Sequence, residues 1–327
     1  MTLPKRLQLA HLPTPIQPLE RLSKKLGKDI YLKRDDHTGI ECSGNKVRKL
    51  EFAVQEALDQ EAKVLITCGG LQSNHARATA AVARRLGLDC HLVLRGRPNL
   101  PDHGNLLLDL LMNVKITYMD PEDFNVHHKE VMDSLKAEYE NRGKKAYLLP
   151  MGASNAIGSF GYMVAYEEIL LQEMNMETNF DTIVCAVGSG GTHAGLVLGN
   201  LIHGSKHRVI GIPIADDSTF FRPIVQGLVE ECLQRISPDT DIPEDALQFL
   251  DGYAGRGYAL NTGEELEFIR QLAIDEGVIL DPVYTGKSFR GLVTDIEKGI
   301  LADSEKILFI HTGGLYGLFA KAEEFQL

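Results

Sequence analysis

The most constraining feature of the chain is Thr182-Ile183-Val184-Cys185-Ala186-Val187, an apolar run followed at once by Gly188-Ser189-Gly190-Gly191-Thr192 and a helical stretch to about Leu201. A strand without polar alternation must be covered on both faces, as a central strand of a parallel sheet is. The same strand, corner and helix rhythm recurs. Val64 to Cys68 leads into Gly69-Gly70-Leu71-Gln72-Ser73-Asn74-His75 and then an alanine-rich helix from Ala76 to Leu86, with Ser73 or Asn74 as its N-cap. Further strands are expected at Ile30 to Lys33, His91 to Leu94, Lys115 to Tyr118, Ala146 to Leu149, Val209 to Ile212 and Ile307 to Ile310. Helices are expected at 46–58, 105–112, 124–141, 162–171 and 264–276, and at 218–235 with breaks at Pro223 and Gly227; a glycine/proline loop is expected from Gly96 to Gly104. This alternation predicts an α/β protein with two open, twisted, mostly parallel sheets covered by helices. Glycine joints near Lys46 and Gly158 suggest a smaller α/β domain over 46–162 and a larger one formed by 1–45 and 163–327.

The 327 residues supply ample core, and a formal net charge of −11 argues against broad nucleic-acid binding while leaving room for a local basic cleft. No apolar run reaches the roughly 18 residues of a spanning helix, and Met1-Thr2-Leu3-Pro4-Lys5 lacks the apolar core of a secretory signal. The five cysteines (Cys42, Cys68, Cys90, Cys185, Cys232) are scattered without metal-ligand spacing, which points to a reducing, cytoplasmic setting and no metal. His37, His127, His128, His203 and His207 likewise show no ligand spacing and read as surface residues.

Several corners carry chemistry. Ser43-Gly44-Asn45-Lys46-Val47-Arg48-Lys49-Leu50 places Lys46 in the first turn of a helix, where unpaired N–H groups and the dipole disfavour a cation. Lys46 is therefore either an amine beside an anionic ligand, as counter-charge or Schiff-base nucleophile, or part of a solvated basic face. Gly188 to Thr192 lacks the Walker and dinucleotide patterns, so it reads as a single-phosphate cradle or a tight packing corner. Ser73 has no aspartate–histidine partner and no nucleophile elbow around it. Tyr284-Thr285-Gly286-Lys287 and His311-Thr312-Gly313-Gly314 are polar stretches at later strand ends, so Lys46, Ser73, Ser189, Tyr284 and Thr312 suit one shared cleft.

Taken together, Lys33-Arg34-Asp35-Asp36, Ser43 to Glu51, Gln72-Ser73-Asn74-His75, Asp281 to Lys287 and His311-Thr312-Gly313-Gly314 make the chain resemble the pyridoxal-phosphate enzymes of the tryptophan-synthase-β type. The resemblance runs from Leu12-Pro13-Thr14-Pro15 to Phe319 and is to the fold-type II branch holding D-cysteine desulfhydrase and 1-aminocyclopropane-1-carboxylate deaminase. It implies pyridoxal 5'-phosphate as cofactor, an active site between two domains, and a homodimer. By it, Lys46 bears the cofactor, Asn74 meets the cofactor's ring oxygen, and Gly188, Ser189, Gly190, Gly191 and Thr192 hold its phosphate. Ser73 and Tyr284 lie over the substrate, Gln72 and His75 line its carboxylate side, and Tyr258 is a second substrate tyrosine.

In the deaminases a glutamate follows the tyrosine matching Tyr284, and a leucine stands at the place of Thr312; here the residues are Thr285 and Thr312. A carboxylate beside the pyridine nitrogen deepens the electron sink, and a threonine hydroxyl cannot supply that charge. The pair favours β-elimination of thiolate from D-cysteine, giving pyruvate, sulfide and ammonia, over opening of a cyclopropane. An L-cysteate sulfo-lyase and a non-catalytic small-anion-binding protein stand as alternatives. Glu41-Cys42 and Gly70-Leu71 depart from the pattern of the bacterial desulfhydrases. Arg48 and Lys49 have no required part in the chemistry on this reading.

Overall fold

The computed structural model describes residues 2–98 and 103–325. Among the described residues, ten strands form two sheets. The larger is built from β1 (Ile16–Pro18), β2 (Asp29–Lys33), β7 (Thr182–Val187), β8 (Arg208–Pro213), β9 (Gln248–Phe249) and β10 (Lys306–Ile310), in the order β1-β2-β10-β7-β8-β9. Only β1 runs antiparallel to its neighbour. The smaller sheet is wholly parallel and contains β3 (Val64–Gly70), β4 (Asp89–Arg95), β5 (Lys115–Met119) and β6 (Ala146–Leu148) in the order β5-β4-β3-β6. The two predicted sheets are thus present. The two shortest large-sheet strands, β1 and β9, had no apolar run to announce them.

The helices are α1 (Glu20–Leu26), α2 (Asn45–Asp59), α3 (Asn74–Arg85), α4 (Gly104–Leu111), α5 (Pro121–Asn141), α6 (Ala156–Met176), α7 (Gly191–His203), α8 (Ser218–Ile236), α9 (Gly263–Glu276), α10 (Thr285–Glu297) and α11 (Leu315–Phe319). Strand β7 is buried at every position, as its sequence requires, and each fully buried aliphatic side chain contributes about 1.5–3 kcal/mol. Helix α8 is continuous where Pro223 and Gly227 suggested breaks. Proline removes only one backbone donor, and Phe221, Val225, Val229, Cys232 and Leu233 bury one face along the whole helix. Residues 99–102 of the expected Gly96–Gly104 loop lie outside the described residues.

Helix α6 packs on both α2 and α7. The contact with α7 is close because Gly195 faces α6: a Cβ there would lie 2.3 Å from the Ser159 carbonyl oxygen. Helix α2 is fixed by ions as well as by apolar contact. Arg48 donates to both oxygens of Asp35, at 2.9 and 2.8 Å, and to both oxygens of Glu168, at 3.0 Å. Lys33 and Tyr162 join the same buried group. Arg48 is 1% exposed and Asp35 0%, so this is an interior network rather than a solvated face. It positions the helix whose first turn carries Lys46. All five cysteines are buried free thiols.

Candidate active site

The C-terminal ends of β3, β7 and β10 and the first turn of α2 surround one cavity of about 240 Å³. Crevices beyond the carboxyl ends of parallel strands are where α/β proteins collect ligands. Lys46, Ser73, Asn74, His75, Gly188, Ser189, Gly190, Thr192, Tyr258, Tyr284 and Thr312 all line it. Three expected members do not. Gln72 turns away: its amide Nε2 donates to the His103 carbonyl at 2.9 Å, and Oε1 accepts from Asn105 N at 2.8 Å. Thr285 is buried, with Oγ1 donating to Asp281 at 2.7 Å and accepting from Asp281 N at 2.9 Å. Gly191 is buried behind the lining corner.

Thr285 therefore stabilises the start of α10 together with Asp281, whose carboxylate also accepts from the backbone of Val283, Tyr284 and Thr285 at 2.8–2.9 Å. This corrects the weight given to Thr285 in choosing between elimination and ring opening, because its hydroxyl is engaged with Asp281; only Thr312 of that pair faces the cavity.

Lys46 follows Gly44, the N-cap of α2, whose φ of 84° suits glycine. A Cβ at Gly44 would meet the Thr312 carbonyl oxygen at 2.7 Å, so this glycine lets the end of β10 close against the helix. Asn45 seals the junction, its N–H donating to Thr312 O and its Nδ2 to Thr192 Oγ1, both at 3.0 Å. Burial pushes the Lys46 amine down to about 8, against the opposing pull of Asp281. Its Nζ lies 6.0 Å from the centre of the Tyr284 ring. Tyr284 and Tyr258 share a hydrogen bond of 2.7 Å between their hydroxyls. Burial holds both above the ordinary tyrosine range, so both are neutral near pH 7.

Ser73 caps α3, its Oγ accepting from Ala76 N at 3.1 Å. That leaves the hydroxyl proton available to a ligand. His75 Nε2 meets Thr67 Oγ1 at 2.8 Å, and burial, with the Lys46 and Lys49 charges, keeps its ring neutral.

The phosphate-like end is built around α7. Gly190, with φ of 85°, turns the chain into that helix, whose first N–H groups have no partner within it. Ser189 and Ser154 hydroxyls are 2.7 Å apart, and Lys49 Nζ donates to Ser154 Oγ at 2.7 Å. A Cβ at Gly191 would come within 2.6 Å of Lys49 Nζ, which sets that amine beside the glycine corner. Lys49 is 0% exposed, and burial, then the Lys46 charge, drives its amine well below the ordinary lysine range. Lys49, given no required part on sequence grounds, thus stands beside the glycine corner without lining the cavity; residues at i and i+3 share a helix side, so it follows Lys46. Arg95 and His128 are further cavity residues missed by sequence reading. His128 sits stacked on Phe124 with ring centroids 4.8 Å apart, rather than standing free on the surface.

These side chains suit pyridoxal 5'-phosphate. A desolvated amine can carry its aldehyde, the Asn74 amide borders the same space, and the glycine corner with Ser189 and Lys49 offers donors to a phosphate. Among the described residues no cluster of His, Cys, Asp or Glu could hold a metal, and no helix is long and apolar enough to cross a membrane.

Comparison with known proteins agrees with the site. The family model for pyridoxal-phosphate dependent enzymes matches residues 7–313. A putative 1-aminocyclopropane-1-carboxylate deaminase of Thermotoga maritima is 44% identical, over 97% of this chain and 98% of its own. A bifunctional D-cysteine desulfhydrase/1-aminocyclopropane-1-carboxylate deaminase of Arabidopsis thaliana, described as mitochondrial, is 43% identical over 97% of this chain and 80% of its own. The crystal structure of an ACC deaminase homologue superposes with a TM-score of 0.91 at 40% identity, covering 98% of this chain and 95% of the other. The chain belongs to the pyridoxal-phosphate dependent enzymes of fold type II, in the D-cysteine desulfhydrase/1-aminocyclopropane-1-carboxylate deaminase family, and pyridoxal 5'-phosphate is its cofactor.

Proposed function

We propose that this enzyme is a lyase that deaminates a small amino acid of the D-cysteine or 1-aminocyclopropane-1-carboxylate type. The observation that carries this reading is the Tyr258–Tyr284 hydroxyl pair, 2.7 Å apart, beside an amine depressed to about 8. The bound cofactor draws electrons from the substrate's α-carbon. Lys46, neutral for a useful fraction of the time near pH 8, takes the α-proton. The tyrosine pair supplies a proton on the side of the β-carbon substituent: whichever hydroxyl accepts from the other keeps its own proton to donate. Ser73, whose oxygen is already bonded to Ala76 N, donates to the substrate's carboxylate.

The Arabidopsis relative's name joins both activities, and the Thermotoga relative is named as a deaminase alone. This widens the preference for D-cysteine drawn from Thr285. Thr312 at the cavity still favours thiolate release, which demands a weaker electron sink than ring opening. On the same reading, residues 46–162 act as the smaller domain flanking the site, and the enzyme works as a cytoplasmic homodimer.

The test is a product assay over D-cysteine, L-cysteine, L-cysteate, D-serine and 1-aminocyclopropane-1-carboxylate. Pyruvate with sulfide from D-cysteine, or 2-oxobutyrate from the cyclopropane, each with ammonia, is the expected outcome. Sulfite from L-cysteate as the dominant product, or no turnover of any member, would overturn it.

A further inference from the structure

The cavity side of Asn74 is fixed by two buried residues behind it. Arg77 on α3 is 1% exposed and Asn105 on α4 is 0% exposed, and neither lines the cavity. Arg77 is held from several directions: Nη1 donates to the Glu41 carbonyl at 2.8 Å, Nη2 to the Ser43 carbonyl at 3.3 Å, and its guanidinium lies 5.2 Å from the Tyr316 ring centre. Its remaining edge, Nε, meets the amide of Asn105 at 3.1 Å.

From there the polarity of each amide follows from donor and acceptor chemistry. A guanidinium has donors and no acceptor, so the Asn105 atom facing Arg77 is Oδ1. The other Asn105 atom is then Nδ2, and it lies 3.0 Å from the Gln72 backbone carbonyl, which only accepts. Two independent partners thus demand the same orientation. The second Nδ2 hydrogen goes to Asn74, at 2.9 Å, so the Asn74 atom there is Oδ1. Asn74 must then turn its NH2 the other way, toward the cavity it lines.

We propose that Asn105, oriented by Arg77, is a positioning residue that makes Asn74 a hydrogen-bond donor, and never an acceptor, toward the anionic ring oxygen of the cofactor. The inference rests on the reading that Asn74 meets that oxygen. A free asparagine could present either end of its amide, and the wrong end would set oxygen against oxygen. The relay removes that choice, starting from a group that stays protonated at every working pH. It also gives Gln72 a part in the site that its side-chain position alone does not reveal: its carbonyl is the second reference for Asn105.

The test is a double-mutant cycle on cofactor binding to apoenzyme, with Asn74→Ala, Asn105→Ala and their combination, read as the pyridoxal 5'-phosphate dissociation constant. The pH titration of the bound cofactor's visible band is the second readout, and urea unfolding of each apoprotein controls for the fold. Losing a hydrogen bond to a charged group corresponds to a loss of affinity of roughly 10-fold to 100-fold. Asn74→Ala should show this and shift the titration; Asn105→Ala, which frees the Asn74 amide to turn either way, should show a smaller loss of several-fold, and the double variant should be no worse than Asn74→Ala, because both act through one bond. Asn105→Asp keeps the acceptor for Arg77 but sets an acceptor against Asn74, which then gives its NH2 to the aspartate and its oxygen to the cavity, so it should weaken binding at least as much as Asn74→Ala. Additive losses, or an Asn105→Ala affinity within twofold of wild type, overturn the proposal. If Asn74→Ala itself changes neither readout, the placement of the ring oxygen fails instead. An Asn105→Ala apoprotein that does not fold shifts the decision to Asn105→Asp, which must weaken binding and move the titration for the proposal to stand.

Discussion

Replacing Lys49 by methionine should move apoenzyme stability and cofactor affinity in opposite directions. Among the described residues the buried Lys49 amine has one hydrogen-bond partner, Ser154, and no carboxylate acts on it; the charge that does, Lys46, has the same sign. In the apoprotein the amine therefore loses solvation without gaining a counter-ion, and it avoids part of that cost by giving up its proton. The ceiling at pH 7 is the free energy of deprotonating an ordinary lysine, about 5 kcal/mol. Methionine matches the aliphatic stem without the charge. Allowing for the lost Ser154 bond, worth about 1 kcal/mol, Lys49→Met should stabilise the apoenzyme, by at most about 4 kcal/mol. The sign with pH follows from linkage. The folded amine titrates below 10.5, so between its folded value and 10.5 the unfolded chain binds the extra proton and stability rises with pH. The variant should lose that contribution and keep only the similar one from Lys46. If the phosphate sits at the glycine corner as proposed, binding should go the other way, because a lost charge-assisted contact weakens affinity by roughly 10-fold to 100-fold. Urea unfolding of both apoproteins at pH 7 and 9, with a pyridoxal 5'-phosphate titration, measures both halves. A destabilised variant that binds the cofactor as tightly as wild type would refute the reasoning.

Two further outcomes follow from the same helix. Arg48→Met leaves Asp35 and Glu168 buried with only Lys33 as a cation, so it should destabilise the protein by about 3–5 kcal/mol. In the wild type Asp35 is held low chiefly by Arg48 against burial, and its contribution is present above 3.8 and lost as pH falls through the folded value. Without Arg48 burial raises that carboxyl, so the variant's deficit should shrink from pH 7 to 5.5; a deficit that grows on acidification counts against this assignment. Reductive methylation of apoenzyme lysines should show Lys46 reaching half its limiting reactivity near pH 8. A Lys46 midpoint above about 10 would remove it as a neutral base near pH 8.

The sequence carried the sheets because a central parallel strand leaves a plain mark. β7 is buried at all six positions, and its apolar run has no polar alternation to blur it. β9 has two residues and pairs with β8 at the sheet edge, so it left no comparable mark. The site divided along similar lines. Residues whose backbone must stand just past a strand end, such as Ser73 and Gly188, could be placed by counting from the strand; Tyr284 instead caps α10 after a loop that follows α9. Whether a side chain then faces the cavity depends on which partners compete for it. Gln72 is drawn to His103 and Asn105, 31 and 33 residues away, and nothing near it in the chain announces the choice, whereas Thr285 is taken by Asp281 only four residues before it.

The first turns of α2 show why three neighbouring cations can have three different fates. At about 100° per residue, Lys46 and Lys49 lie about 60° apart on one side of the helix, and Arg48 lies toward the other. On Arg48's side the fold provides Asp35 and Glu168, so that cation is neutralised internally and becomes an anchor. On the lysine side the fold offers a glycine corner, two serine hydroxyls and a neutral histidine, with Asp281 acting on Lys46 only in part. A helix N-terminus already favours anions and penalises cations, so two unneutralised amines there are unstable unless an anion arrives. On the proposed placement of the cofactor, the charge that completes this turn is the ligand's, and the same imbalance that burdens the apoprotein becomes binding energy when the phosphate enters.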